Sequence, residues 1–318
     1  MRWDELAKSF KPDTETFDRL NDKKKRLDLL RPLPEASIKS ILNALSLEWT
    51  YNSNAIEGNT LTLQETKLVL LDGITVKGKS LREHFEAVNH IDAIEYIYKL
   101  ADKNYFLTEK DILQTHALVL DKIDKDFAGR LRNAGVRITG ANFTPPNALK
   151  VSDLLFELID WVNNSFNEIH PVVLATFFHH RFVWIHPFFD GNGRTVRLLF
   201  NLLLFKFGYP PAIILKADRK KYYDALNLAN VGSYDKLFQL VAQSLERSLD
   251  IYLSNFNNYA DDYMPISNIV SEPNVPYGQE YVSLLARQGK IDAYKEGRVW
   301  YTTKDALSDY LKKRKRNR

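Results

Sequence analysis

Residues 185–197 read IHPFFDGNGRTVR, which gathers one histidine, one aspartate, two glycines, one asparagine and two arginines into thirteen positions. The run Asp190-Gly191-Asn192-Gly193 cannot lie inside a helix: each glycine lowers helix propensity by about 1 kcal/mol, and Asp and Asn compete for backbone bonds. Both flanks are apolar with helical spacing, so the stretch reads as a loop that opens a helix near Arg194. Such a loop presents unpaired amides and the positive end of a helix dipole, an anion site suited to a diphosphate. Arg194 and Arg197, three apart, share a face of the first turn and can clamp phosphate oxygens. Asp190 could hold Mg²⁺ bridging those oxygens. His186 is the nearby group able to take a proton from an attacking hydroxyl near neutral pH. Taken singly, each residue also has a plainer reading: a satisfied buried histidine, an Asp-Gly turn, two surface arginines. The constellation at this spacing favours function.

Outward from this stretch, apolar residues recur at three- and four-residue steps, as in Ile38, Ile41, Leu42, Leu45 and in Leu154, Leu155, Leu158, Ile159, Val162. The body is therefore expected to be mainly α, with Thr62 and Thr108 as helix N-caps. One segment breaks the pattern: residues 129–146, GRLRNAGVRITGANFTPP, in which Val136, Ile138 and the Gly140-Ala141-Asn142 group predict a short β-hairpin. A second break falls at residues 271–278, after an acidic, Asn-rich linker. Beyond it the pattern predicts a helix, a Gly289 stop, two short strands around Glu296-Gly297, and a last helix capped by Thr303.

The 318 residues are 45% hydrophobic and 26% charged, enough apolar content for two domains or a third small one, and too much for a disordered chain. The absence of cysteine excludes disulfide scaffolds, thiolate metal sites and cysteine nucleophiles. With no apolar run of signal-peptide or membrane-span length, a cytoplasmic location and no membrane partner are expected; residues 198–215 are read as a core helix and its exit. The 44 basic and 40 acidic side chains give +4, but the last eight residues, LKKRKRNR, hold six basic and no acidic ones, so the rest carries −2. A nucleic-acid reading must therefore rest on the C-terminus.

The stretch HPFFDGNGRTVR at 186–197 resembles the complete signature His-Pro-Phe-x-Asp/Glu-Gly-Asn-Gly-Arg-x-x-Arg of the Fic (filamentation induced by cAMP) proteins, and the likeness runs on through residues 198–230. The resemblance implies a Fic-type helical core with a short β-hairpin flap. It also implies transfer of AMP from ATP, with Mg²⁺, to a Ser, Thr or Tyr hydroxyl of a protein target. In that scheme His186 is the general base, Asp190 the Mg²⁺ ligand, and Gly191, Asn192 and Gly193 the anion hole. Arg194 and Arg197 meet the β- and γ-phosphates, and Tyr222, Tyr223 and Asn230 line the adenosine pocket. Doc-type relatives have Lys where this chain has Gly193 and transfer phosphate, which speaks against that chemistry. The flap would pair with an extended stretch of the target through Arg137, Ile138 and Thr139, with Gly129 and Arg130 at its base.

Residues 53–59, SNAIEGN, read as a helix end with Gly58 as the stop, and a negative charge at Glu57 is there unfavourable with the dipole. Ser53, Glu57 and Gly58 match the inhibitory motif Ser/Thr-x-x-x-Glu-Gly/Asn of Fic proteins with an N-terminal inhibitory helix. That likeness implies that Glu57 pairs with Arg197 and displaces the γ-phosphate, and leaves open that the enzyme also removes AMP. Residues 265–318 resemble the small winged helix-turn-helix (α+β) modules of excisionase and MerR type, where DNA contact through the module and the basic tail is an option. The expected division is 1–105, an N-terminal helical region with the inhibitory helix; 106–256, the catalytic core; and 265–318, the winged-helix-like module. Two further functions stay open here: a DNA-binding transcriptional regulator using the Fic core as a nucleotide sensor, and transfer from UTP or CDP-choline. A homodimer is left open as well.

Overall fold

A computed structural model describes residues 2–138, 140–256, 263–273, 275–296 and 298–316. Thr139 of the expected flap, Gly297, the last two residues, and the side chains of Lys313, Lys315 and Arg316 lie outside that description. The helices are α1 (Trp3–Ser9), α2 (Thr14–Leu29), α3 (Glu35–Ile56), α4 (Leu63–Asp72), α5 (Leu81–Leu100), α6 (Glu109–Val119), α7 (Val151–Ser165), α8 (Pro171–Ile185), α9 (Asn192–Lys206), α10 (Arg219–Ala229) and α11 (Asp235–Phe256). Then come β1 (Met264–Pro265), α12 (Ile266–Val270), α13 (Gln279–Arg287), β2 (Ala293–Glu296), β3 (Val299–Thr302) and α14 (Lys304–Arg316). Short polar side chains start the helices as the sequence suggests. Thr62 and Thr108 each accept the amide three residues on, and Glu65 and Asp111 return the bond to the cap residue's own amide.

The mainly helical fold divides into two compact units, Met1–Phe10 with Leu42–Val241, and Lys11–Ile41 with Ala242–Arg318. This cuts differently from the expected boundaries: residues 42–105 group with the catalytic segment, and 11–41 group with the C-terminal module. In the first unit, α8 is buried on nearly every face and sits at the centre, with Phe177, Phe178 and Phe182 fully buried. It packs against α9, whose Leu198, Leu199, Phe200 and Leu202 are also buried. Helix α9 ends at Lys206 with Gly208 in the left-handed region, the predicted exit of the core helix.

In the second unit a three-stranded antiparallel sheet of order β1-β3-β2 carries a small core of Ile266, Ile269, Val282, Leu285, Ile291 and Leu307. Gly289 stops the helix before β2 in the left-handed region, and Thr303 accepts the Ala306 amide at 3.0 Å to start α14. No described helix is long and apolar enough to cross a membrane.

The expected β-hairpin at 129–146 takes another form. Its described residues form no paired strands, only a turn closed by the Ala141 amide on the Ile138 carbonyl at 3.2 Å. The physical reason is that its polar groups find partners elsewhere. The Arg132 amide donates to the Pro187 carbonyl at 2.9 Å, the Asn142 amide to Asn227 Oδ1 at 3.3 Å, and Asn227 Nδ2 to the Gly140 carbonyl at 3.2 Å. A ladder is one way to satisfy a backbone; side chains from distant segments are another.

Candidate active site

Helix α8 ends on His186, whose backbone is left-handed (φ 50°, ψ 63°), a conformation uncommon for a residue other than glycine. Its amide still closes the last turn on the Phe182 carbonyl at 2.9 Å. The chain then turns through Pro187 to Asp190 and enters α9 at Gly191, which is also left-handed (φ 74°). Asn192 braces this loop from within: its Oδ1 accepts the Phe188 amide at 3.0 Å and its Nδ2 donates to the Phe188 carbonyl at 2.8 Å. The Asp190 carboxylate accepts the Gly191 amide at 2.6 Å.

A cavity of about 620 Å³ opens over this loop. It is lined by His186, Asp190, Asn192 and Gly193, by Tyr222, Tyr223 and Asn230 from α10 and its end, by Arg137 and Ile138, and by Glu57. The segments that the sequence singles out separately therefore meet around one space. Burial pushes the His186 imidazole down to about 4, with Arg132 adding to the effect while the Val183 carbonyl, Glu57 and Asp190 oppose it. At neutral pH the ring is uncharged, the state in which it can accept a proton. Burial would raise the Asp190 pKa, yet Arg194, the Gly191 amide and Arg82 outweigh it and hold the carboxyl below its ordinary value.

Arg197 is buried. Its Nη2 meets Glu57 Oε1 at 2.8 Å and the Ser53 carbonyl at 2.8 Å, and its Nε donates to Ser53 Oγ at 3.1 Å. Burial works against the guanidinium charge, but Glu57 and the neighbouring tyrosines raise its pKa nonetheless. A Cβ at Gly193 would collide with the Glu57 carboxylate and lie 3.0 Å from Arg197 Nη1. Gly193, Glu57 and Arg197 thus converge on one point at the start of α9, and Nη1 has no protein partner among the described residues. Gly58, just after Glu57, is in the left-handed region that stops α3. Arg194 lies against Glu86 Oε1 at 3.1 Å and Asp190 Oδ1 at 3.6 Å, so it is turned to α5 and the loop.

A family model described as Fic/DOC family matches residues 106–204. Among solved structures, Fic-1 from C. elegans is 32% identical with a TM-score of 0.69, over 75% of this chain and 72% of that one. A Fic domain containing signaling protein from Bacteroides thetaiotaomicron is 30% identical with a TM-score of 0.69, over 75% of this chain and 96% of that one. The chain belongs to the Fic/DOC family. A curated relative from Culex quinquefasciatus, named protein adenylyltransferase Fic, is 40% identical over 243 residues, 76% of this chain and 48% of its own length. Another of that name, from Nematostella vectensis, is 36% identical over 80% of this chain and 59% of its own length. The Fic chain spans about half the length of the curated relatives it matches.

Within the Fic site, every candidate residue but one is described. Tyr222 is buried, its hydroxyl 2.8 Å from His179 Nε2, and Tyr223 lies under the Arg219 guanidinium at 5.0 Å. Asn230 Oδ1 lies 2.9 Å from His180 Nε2, and its Nδ2 donates to Asn142 Oδ1 at 2.8 Å. Of the flap candidates, Arg137 and Ile138 line the cavity, while Gly129 and Arg130 stand at the start of the segment. Two residues that sequence reasoning missed support the Fic loop. Arg132, 2% exposed, donates to the carbonyls of His186 (2.7 Å), Pro146 (2.6 Å) and Ala134 (3.0 Å). His116 contacts both Gly129 and the Asp190 carbonyl. The signal for His116 is a polar residue on the buried stripe of α6 formed with Ile112, Thr115 and Val119.

Proposed function

We propose that the chain transfers AMP from ATP to a hydroxyl of a protein target, and that Glu57 restrains the reaction. The observation that carries this reading is the meeting, in one cavity, of His186 with the amide-rich start of α9. The relatives named protein adenylyltransferase Fic support AMP as the group moved. The target hydroxyl oxygen attacks the α-phosphorus, the bond from that phosphorus to the α–β bridging oxygen breaks, and pyrophosphate leaves. His186 takes the hydroxyl proton. The amides at the start of α9 hold the anionic phosphates, joined by Arg194 once it exchanges its Glu86 and Asp190 contacts, with Tyr222, Tyr223 and Asn230 at the adenosine. Arg137 and Ile138 would seat the target beside His186.

Among the described residues no group of three or more His, Asp and Glu forms a metal cage. The ionised, half-exposed Asp190 fits a Mg²⁺ held jointly with substrate phosphates. Bound there it would supply charge neutralisation to the phosphates. A carboxylate and a phosphate compete for the same guanidinium, so the Glu57–Arg197 pair at 2.8 Å keeps the γ-phosphate from its seat. The cysteine-free composition agrees with a cytoplasmic enzyme. No observation favours the DNA-binding regulator over this reading.

The test compares wild type, Glu57→Gly, and Glu57→Gly with His186→Ala, each incubated with Mg²⁺ and ATP labelled at the α- or the γ-phosphate. Labelling of protein from the α-phosphate should rise about 10- to 100-fold in the single variant and fall by about 100-fold or more when His186 is also replaced. Label from the γ-phosphate would overturn AMP as the transferred group.

A further inference from the structure

His116 is fully buried on α6, and its ring is engaged on three sides. The Gly129 amide donates to Nδ1 at 3.0 Å, and a ring nitrogen that accepts leaves the proton of the neutral imidazole on Nε2. That Nε2–H donates to the Asp190 carbonyl at 2.9 Å. Phe188 stacks flat on the ring, centroids 3.6 Å apart and planes 2° apart. Glycine on both sides makes the approach feasible: a Cβ at Gly191 would come within 3.3 Å of the ring, and one at Gly129 within 3.1 Å of Ala117 Cβ and the Leu113 carbonyl. Both glycines also have positive φ.

We propose that His116 is a positioning residue that ties the base of the 129–146 segment to the Asp190 turn, so that the segment facing the target and the loop facing the phosphates hold one register. Asn192 braces the loop at Phe188, and His116 fixes it two residues on, at the carbonyl of Asp190, which lines the cavity. Through Gly129 the same ring fixes the entry of the segment that brings Arg137 and Ile138 to the cavity. A side chain with one donor and one acceptor at opposite edges is suited to bridge two backbone groups from separate segments. The kinetic arm of the test rests on the transfer reading above, whereas the exchange arm does not.

The experiment compares His116→Phe, which keeps the stack and loses both bonds, with His116→Gln, which keeps a donor and an acceptor, in the Glu57→Gly chain. His116→Phe should lower the labelling rate at saturating ATP by about 10- to 100-fold while the KM for ATP stays within about threefold. Amide exchange should quicken in residues 127–134 and 188–193 together, and His116→Gln should restore both readouts. A Phe variant at full rate, a Gln variant no better than Phe, or loosening confined to one segment would overturn the proposal. Should the Phe variant fail to fold, His116→Asn, polar but too short to span both groups, is held to the same outcomes. If the Glu57→Gly chain labels nothing, the transfer reading falls and the exchange arm alone decides the tie.

Discussion

In the unit built from residues 1–10 and 42–241, the buried cation Arg197 meets a carboxylate, Glu57, whose side chain is 33% exposed and lines the cavity. In the unit built from 11–41 and 242–318, the buried cation Lys23 is enclosed by Asp250 at 2.8 Å and Asp292 at 2.5 Å. Beside it Arg19 grips Glu246 with a two-point fork of 2.8 and 3.1 Å and donates to the Gly289 carbonyl at 2.9 Å. Both are ion pairs between segments far apart in sequence. Arg197 has a single carboxylate partner, which an incoming anion can replace, while Lys23 is held by two carboxylates and keeps one when the other is exchanged, so its contacts tie segments together. Lys23→Ala would leave the buried Asp250 and the partly exposed Asp292 without their cation, so it should cost about 3–5 kcal/mol in urea unfolding. A loss below about 1 kcal/mol would break the contrast, because it would place Lys23 among ordinary surface charges.

The two units also respond to acid with opposite signs. All seven histidines lie in the first unit. Burial holds His90 and His179 well below their ordinary value and His170 and His180 down to about 4. Between about pH 6.5 and 4 the unfolded chain binds protons that these folded rings refuse, so stability present above that window is lost as pH falls through it. Asp250 behaves in reverse: burial first, and then Asp292, push it up to about 7 despite Lys23. Above that value it is the charged partner of Lys23; below it the folded chain holds a proton that the unfolded chain has released, so this contribution is present at low pH and is lost as pH rises towards 7. Acidification from pH 7.5 to 5 should lower exchange protection factors in residues 42–241 and raise them around Asp250, each by about tenfold. Asp250→Asn should remove the second response and spare the first; a drop in both units would break the comparison.

How much of this was legible in the sequence follows from where the partners lie. The loop at 185–197 was readable because its glycines are required locally, by the turn into α9 and by the groups that crowd Gly193. Ser53, Glu57 and Gly58 were readable through a short motif, and Glu57 and the Ser53 carbonyl then each meet Arg197 at 2.8 Å. The 129–146 segment misled because alternation at Val136 and Ile138 and a glycine turn are also what a hairpin needs. Its actual partners, the Pro187 carbonyl and the Asn227 and Asn230 side chains, come from distant segments that no local pattern reveals. Lys23 stands in the run Lys23-Lys24-Lys25, which gives no sign of burial, so the grouping of 11–41 with the C-terminal module was hidden.

The smallest effect is also the sharpest test of the Glu57–Arg197 pair. Glu57 follows the C-terminus of α3, which ends at Ile56, so its charge opposes the helix dipole and its removal relieves that term. Without Glu57, Arg197 still has Ser53 Oγ at 3.1 Å and the Ser53 carbonyl at 2.8 Å as acceptors. Glu57→Gly should therefore shift unfolding stability by about 1 kcal/mol or less, as expected for a partly exposed pair. In the same variant ATP should raise the melting temperature further than in the parent, because a ligand that binds more tightly stabilises more at equal concentration. A loss of about 3 kcal/mol, with no added response to ATP, would make the Glu57–Arg197 contact a structural bond like that of Lys23 and remove the physical basis for reading it as a brake.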